Sequence, residues 1–356
     1  MDNSVTLAVA GSRKTQGIVD YCAELPTTRR ALIVTFTQKN QSELKHRLAL
    51  HAGNHLGIEV AGWYTLLLRH FCKPFLPFKF PSRRILGFNF DGRPDHYASG
   101  LRRFLDSNNH VYACELARLA TELIVDTQGA LIQRLTAIYD EILIDEIQDL
   151  AGYDWDILDA LLDTSIRVSM VGDIRQSVLS TNPRGQRNRG YAYAEAIHWF
   201  RSRQEQGRLS LTERTTTWRC RQEIASFSDS IFNADWGFPP TRSENTERTD
   251  HDGVFLVHPS HVPAYIERFS PQSLRSTASS GRRFNLDFLN FNVAKGATYQ
   301  RVLIIPTASI ENFIRRGINL EPRAAASFYV AVTRASQSVG IVLEDPGNST
   351  LQYWIP

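Results

Sequence analysis

ILIDEIQDL, residues 142–150, decides the reading of this chain. Ile142, Leu143 and Ile144 are the kind of apolar run found in a parallel strand buried on both faces, and Asp145, Glu146 and Asp149 follow at its carboxyl end. Open α/β sheets place their chemistry at that end. Carboxylates beside a buried strand need a partner, and a bound Mg²⁺ would be one. On this reading Asp145 holds the metal through its water shell, while Glu146 orients and deprotonates an attacking water. A strand running into a solvated acidic turn would leave the same letters, so the rest of the chain has to decide.

A strand expected over residues 5–10 runs into GSRKTQGIVDYCAEL, which reads as a tight loop opening a helix. Backbone N–H groups of such a loop, with the helix amino terminus, cradle phosphate; Lys14 would reach the terminal phosphates and the Thr15 hydroxyl would ligate Mg²⁺. The usual pattern G-x-x-x-x-G-K-[ST] is met with Ala8 and Arg13 at its two glycines, which leaves Gly11 inside the loop. Arg13 restricts the backbone there, but its guanidinium can add a phosphate contact.

Further strands are expected at 31–36, 58–61 and 166–173, with helices after them; in the first of these helices Leu44, Leu48 and His51 mark one face and Gly53 a stop. KPFLPFKFPSRR, rich in proline and aromatics, opens an inserted segment. The alternation predicts mainly parallel sheets covered by helices.

At 356 residues the chain can build two or three domains, and its 42% hydrophobic and 22% charged residues are those of a globular protein. A net charge of +3 permits nucleic-acid binding without requiring it. The four cysteines contain no C-x-x-C pair, so neither a disulfide framework nor a zinc site is indicated and a reducing, cytoplasmic location is expected. There is no secretory signal pattern at the start, and no apolar run approaches the roughly 20 residues that span a bilayer, so no membrane partner is expected.

Seven short blocks occur in the order found in superfamily 1 helicases of the UvrD/Rep type: AGSRKT (10–15), TFTQK (35–39), DEIQD (145–149), GDIRQS (172–177), TWRCR (217–221), AKGATY (294–299) and YVAVTRA (329–335). The chain resembles that family over most of its length. The resemblance implies an α/β fold of two RecA-like parallel-sheet domains with ATP in the cleft between them. The first domain would comprise residues 1–73 and 127–207, a small mainly helical subdomain would be inserted at 74–126, and the second domain would run from 208 to 356.

It also implies roles. Glu146, Lys14, Gln176, Arg219 and Arg334 would be catalytic, the two arginines reaching the γ-phosphate from the second domain. Gly11, Ser12, Arg13, Lys14, Thr15, Gln148, Trp218, Gly296 and Thr298 would bind ATP, with Trp218 stacking on adenine, and Thr15 and Asp145 would hold Mg²⁺. Thr35, Phe36, Lys39 and Lys295 would contact DNA, Phe36 by stacking a base. The loop NPRGQRNRG adds Arg184 and Arg187 as phosphate contacts, unless it is simply a solvated loop. Arg334 is expected to follow a strand-like FYVAVT.

Several positions depart from the family pattern. Thr298 stands where relatives carry a glutamate directed at the ribose, Leu179 and Thr181 stand where stacking aromatics are usual, and only a few residues precede the first strand, where relatives read adenine. Between Arg219 and Lys295 the chain has no room for the large accessory subdomain of processive relatives. The leading expectation is an ATP-dependent translocase or helicase moving 3′ to 5′ on single-stranded or partly duplex DNA. One alternative is an ATP-driven switch that gates a protein partner, such as a nuclease in phage defence or DNA repair; the other is a scaffold that does not hydrolyse ATP.

Overall fold

The apolar run 142–144 lies inside a parallel sheet, as its composition requires. The protein is described by a computed structural model that covers residues 2–53, 55–178, 181 and 187–356. Across the first sheet the strands run Ile58–Gly62, Ala31–Thr35, Glu141–Ile144, Arg167–Gly172, Ser4–Ala8 and Ser210–Arg214, and every pairing is parallel. Successive residues point to opposite faces. Leu32, Val34, Ile142 and Ile144 therefore pack on one side with Trp63, Trp155 and Trp199. Ile33, Leu143 and Val171 pack on the other with Ile18, Val19, Leu44 and Leu48. Helices thus cover both faces, which is why these strands read as continuous apolar runs.

Local chemistry sets the helix starts. In Gln38–His51 the Thr37 hydroxyl caps the helix by accepting from the Asn40 amide at 3.1 Å, and Leu44 and Leu48 form its buried stripe. His51 is exposed in the last turn, so the stripe is shorter than expected. The segment 74–126 ends in a helix, Leu116–Asp126, whose Leu116, Leu119, Ala120 and Leu123 are buried. Before it come short helical turns and a two-stranded parallel ribbon of Gly87–Asn89 and His110–Tyr112.

The second sheet is also parallel, in the order Gly253–Val257, Ala335–Val342, Tyr299–Ile305, Gln272–Arg275 and Phe288–Asn290. Residues 328–332 were expected as a strand and are helical instead, within Pro322–Val332. A short apolar run fits either state. Pro322 in the first turn and the three alanines after Arg323 decide for helix.

The first sheet continues past residue 207, the expected division, because Ser210–Arg214 pairs with Ser4–Ala8 along its whole length. The crossing to the second sheet follows directly, and it is stitched to the loop after Ala8. Val9 N donates to Arg214 O at 3.0 Å, Trp218 N to Gly11 O at 3.1 Å, and Thr217 Oγ1 to Ala10 O at 2.7 Å. All four cysteines are free thiols, and among the described residues no helix is long and apolar enough to cross a membrane.

Candidate active site

A cleft of about 1080 Å³ opens between the carboxyl ends of the two sheets. The first sheet contributes Gly11 to Thr15, Asp145, Glu146, Asp149 and Gln176 to its walls; the second contributes Trp218, Arg219, Lys295, Gly296, Thr298 and Arg334. Lys39 lines the rim from the helix that follows Ala31–Thr35. Residues scattered along the sequence are thereby gathered at one place.

The loop 10–14 is strained at Arg13, where the G-x-x-x-x-G-K-[ST] pattern has glycine. Arg13, the residue before helix Lys14–Glu24, is left-handed at φ 59°. A non-glycine residue in that conformation costs about 1–2 kcal/mol. Gly11 cannot be replaced so readily: at φ +75°, a Cβ there would lie 2.5 Å from the Arg219 Cβ. The Ser12 hydroxyl is buried and has no hydrogen-bond partner. A buried orphan donor facing a cleft is a ready ligand for a phosphate oxygen.

The acidic turn carries the opposite charge. Glu146 is also left-handed, at φ 57°, which turns the chain at the end of strand Glu141–Ile144. Lys14 Nζ lies 3.7 Å from Glu146 Oε1. Burial works to lower the Lys14 pKa, but Glu146, Asp173 and Asp145 outweigh it and raise it. Burial likewise opposes ionisation of Glu146, yet Lys14 and Lys295 prevail and hold its carboxyl down. Asp145 is pushed up, by burial first and by Glu146 second. Its Oδ2 accepts from the Thr15 hydroxyl at 3.2 Å. The buried Asp145 carboxyl and the half-buried Glu146 beside it, with the Thr15 hydroxyl on Asp145, form an oxygen donor set suited to a hard divalent cation that keeps most of its ligands as water and phosphate. Among the described residues no group of three His, Cys, Asp or Glu side chains converges as a metal centre.

Glutamines and arginines link the two walls. Gln148 donates to Glu146 and accepts from the Asp173 amide at 2.9 Å. Gln176 Nε2 donates to Asp173 Oδ2 at 2.6 Å, and its Oε1 accepts from Arg334 Nη2 at 3.0 Å. Arg334 is 1% exposed and also donates to Val330 O and Ala297 O. Burial and the neighbouring Arg219 bring its pKa down to about 9, so it is still a cation at neutral pH. Arg219 is lowered by burial and donates to Thr333 O at 3.3 Å. Trp218 is 42% exposed, with the Arg13 guanidinium 4.9 Å from its ring centroid. A flat aromatic face thus lies at the cleft wall.

The remaining expected positions fall partly in the cleft and partly outside it. Lys295 reaches across the cleft to Asp149. Phe36 is half-buried and stacks on Trp63 at 6.1 Å. Thr35 is fully buried with an unpaired hydroxyl, and Arg187 is tied to Asp156 at 2.8 Å. Arg184 and Leu179 lie outside the described residues, while Thr181 donates to Asp154.

Sequence reasoning missed Arg175. It leaves the first domain and is buried against the second, donating to Asp229 at 2.5 Å, Thr241 at 3.1 Å and Pro239 O at 2.8 Å. Tyr329 was missed as well; its hydroxyl accepts from Ala10 N at 3.2 Å and donates to Asp173 at 3.4 Å. Both residues fall inside quoted blocks, so their positions were marked although their contacts were not.

Two parallel α/β sheets thus face a shared cleft, with the loop 10–15 on one wall and the buried Arg219 and Arg334 on the other. Residues 94–181, which include the DEIQD and GDIRQS blocks, match the UvrD/REP helicase N-terminal domain. That match covers 88 of the 356 residues, so it is a likeness of this stretch of the chain to that family. No curated protein matches it. Among solved structures it resembles an arterivirus nonstructural protein 10 (helicase) in complex with DNA, at 16% identity and a TM-score of 0.43. That likeness covers 95% of this chain, which spans 60% of the length of the viral one.

Proposed function

We propose that the chain is a DNA-stimulated ATPase that translocates on single-stranded DNA in the 3′ to 5′ direction. The observation that supports this best is the division of labour across the cleft, with Lys14, Glu146 and Gln176 on one wall and Arg219 and Arg334 on the other. Lys14, the Ser12 hydroxyl and the loop amides hold the phosphates. Glu146 takes the proton of the attacking water as that oxygen bonds to the terminal phosphorus and the bond to the bridging oxygen breaks, which releases ADP. Gln176 positions the water, and Arg219 and Arg334 offset the charge that spreads over the phosphoryl oxygens. Thr15 and Asp145 would hold a Mg²⁺ ion, which would offset part of the phosphate charge.

Hydrolysis on this scheme needs both walls, so turnover depends on domain closure. A strand bound across both domains favours closure and stimulates the rate. ATP turnover measured with and without single-stranded DNA tests the reading. Stimulation is expected. Turnover indifferent to DNA would favour a switch acting on a protein partner, and absence of turnover would leave a scaffold.

A further inference from the structure

The inserted segment holds chemistry that the ATP cleft does not use. A second cleft of about 380 Å³ opens there, with Arg83, Arg93 and Arg102 on its walls. All three are exposed. Arg103, next in the chain, is satisfied by Glu115 at 2.8 Å, but no ion pair among the described residues engages Arg83, Arg93 or Arg102. Two carboxylates also line this cleft. Asp106 is turned inward, accepting from the amides of Asn108 and His110 at 2.9 Å each and from Asn89 at 2.9 Å. Those hydrogen bonds favour the ionised Asp106 carboxylate, so Asp95 and Asp106 together face three guanidiniums and the cleft keeps an excess of one positive charge. It suits an anionic ligand.

A second observation narrows the anion. Tyr97, between Asp95 and Ala98 of the cleft wall, is 92% exposed. Leu101, also on that wall, is 45% exposed. Isolated exposed apolar residues need no explanation, but an almost fully exposed ring that lies in the chain between Arg93 and Arg102, neither of them in an ion pair among the described residues, supplies with them the two parts of a single-strand grip: cations for the backbone and a face for a base.

We infer that the inserted subdomain carries a second nucleic-acid contact, in which Arg83, Arg93 and Arg102 take phosphates of a single strand and Tyr97 stacks one of its bases. This rests on the reading of the chain as a single-strand binder. It assigns the insertion an accessory hold on the strand while the two main domains move relative to each other.

The test is fluorescence anisotropy with a labelled oligothymidine at several salt concentrations. Four proteins are compared: the wild type, Tyr97→Ala, the double variant Arg93→Ala/Arg102→Ala, and its lysine counterpart. Tyr97→Ala is expected to weaken binding roughly tenfold, with little change in salt slope. The double alanine variant should flatten the slope of log affinity against log salt by about 1.4, about 0.7 for each phosphate left without its arginine, and lysines should restore it. ATP turnover without DNA should be unchanged in all of them. If the wild type binds no single strand, the functional reading and this inference fall together. If it binds and the variants match it in affinity and slope, this inference alone is overturned. Equal losses on poly-glutamate, with Tyr97→Ala silent, would make the cleft a dock for an acidic protein and overturn the nucleic-acid assignment.

Discussion

Lys295 of the second domain closes on Asp149 of the first, with Nζ 2.8 Å from Oδ1 and 2.9 Å from Oδ2. The pair bridges the cleft, and Asp149 is only 3% exposed. Burial pushes the Asp149 carboxyl up to about 6 even with the lysine beside it. Lys295→Ala removes the cation and leaves a buried carboxylate. Breaking such a pair costs about 3–5 kcal/mol while the acid stays charged, and less once it takes a proton. Urea denaturation should therefore show a larger loss of stability at pH 8 than at pH 5.5. Equal losses at the two values would mean that Asp149 is not held as an ion by Lys295.

Glu146→Gln keeps the side-chain volume and removes the base. Lys14 retains Asp145 and Asp173 as counter-charges, so ATP binding should persist while turnover drops by at least ~10²-fold. Lys14→Ala should weaken binding and turnover together. Near-normal turnover in the Glu146→Gln protein would remove Glu146 from its assigned role.

Arg334→Ala would empty a site that is 1% exposed and so confuse folding with chemistry. Arg334→Lys keeps the charge but loses the planar fork that spans Gln176, Val330 O and Ala297 O. Turnover is expected to fall by ~10³-fold or more, the scale of a lost arginine finger. Circular dichroism should stay that of the wild type. A variant with both fold and rate intact would show that the guanidinium geometry is not used.

His251 gives the second domain a pH dependence. Its ring is stacked between Phe255 at 4.3 Å and Phe269 at 4.0 Å, and Nε2 lies 2.9 Å from the Tyr265 hydroxyl. Burial first, and Arg301 second, bring its pKa down to about 4 from the usual 6.5. The folded state thus prefers the neutral ring: its contribution is fully present above about pH 6.5 and is lost as pH falls towards 4. The loss amounts to about 3 kcal/mol over that window. His251→Phe should remove it, so the difference in unfolding free energy between wild type and variant should change across pH 4–6.5 and stay constant above. A constant difference throughout would disprove the assignment.

Much of this arrangement was legible in the sequence because its signals are local. The unbroken apolar runs 31–34 and 142–144 mark strands buried on both faces by composition alone, and the blocks at 10–15, 145–149 and 172–177 are short enough to be matched to a family pattern. The run 328–332 was misread because apolar residues with no polar interruption carry neither period. Arg175 escaped because its partners, Asp229, Pro239 and Thr241, lie far along the chain and nothing in one sequence pairs them. Glu146 and Arg13 show a different limit. Their left-handed backbones are imposed by the turn around them, and propensity would have placed glycine or asparagine there.

The stitching between the loop after Ala8 and the crossing strand governs how this protein can move. Val9, Ala10 and Gly11 are bonded to Arg214, Thr217 and Trp218, and Arg175 is anchored in the far domain close by in the chain to Gln176. A sliding motion would have to shear all of those bonds at once. Any motion that preserves them is a rotation about this seam, so the phosphate loop sits on the axle of the molecule rather than on one of its blades. On the proposed reading, a ligand that filled the loop would be felt as a torque, and a small displacement there would become a wide arc at the outer edges of the two sheets.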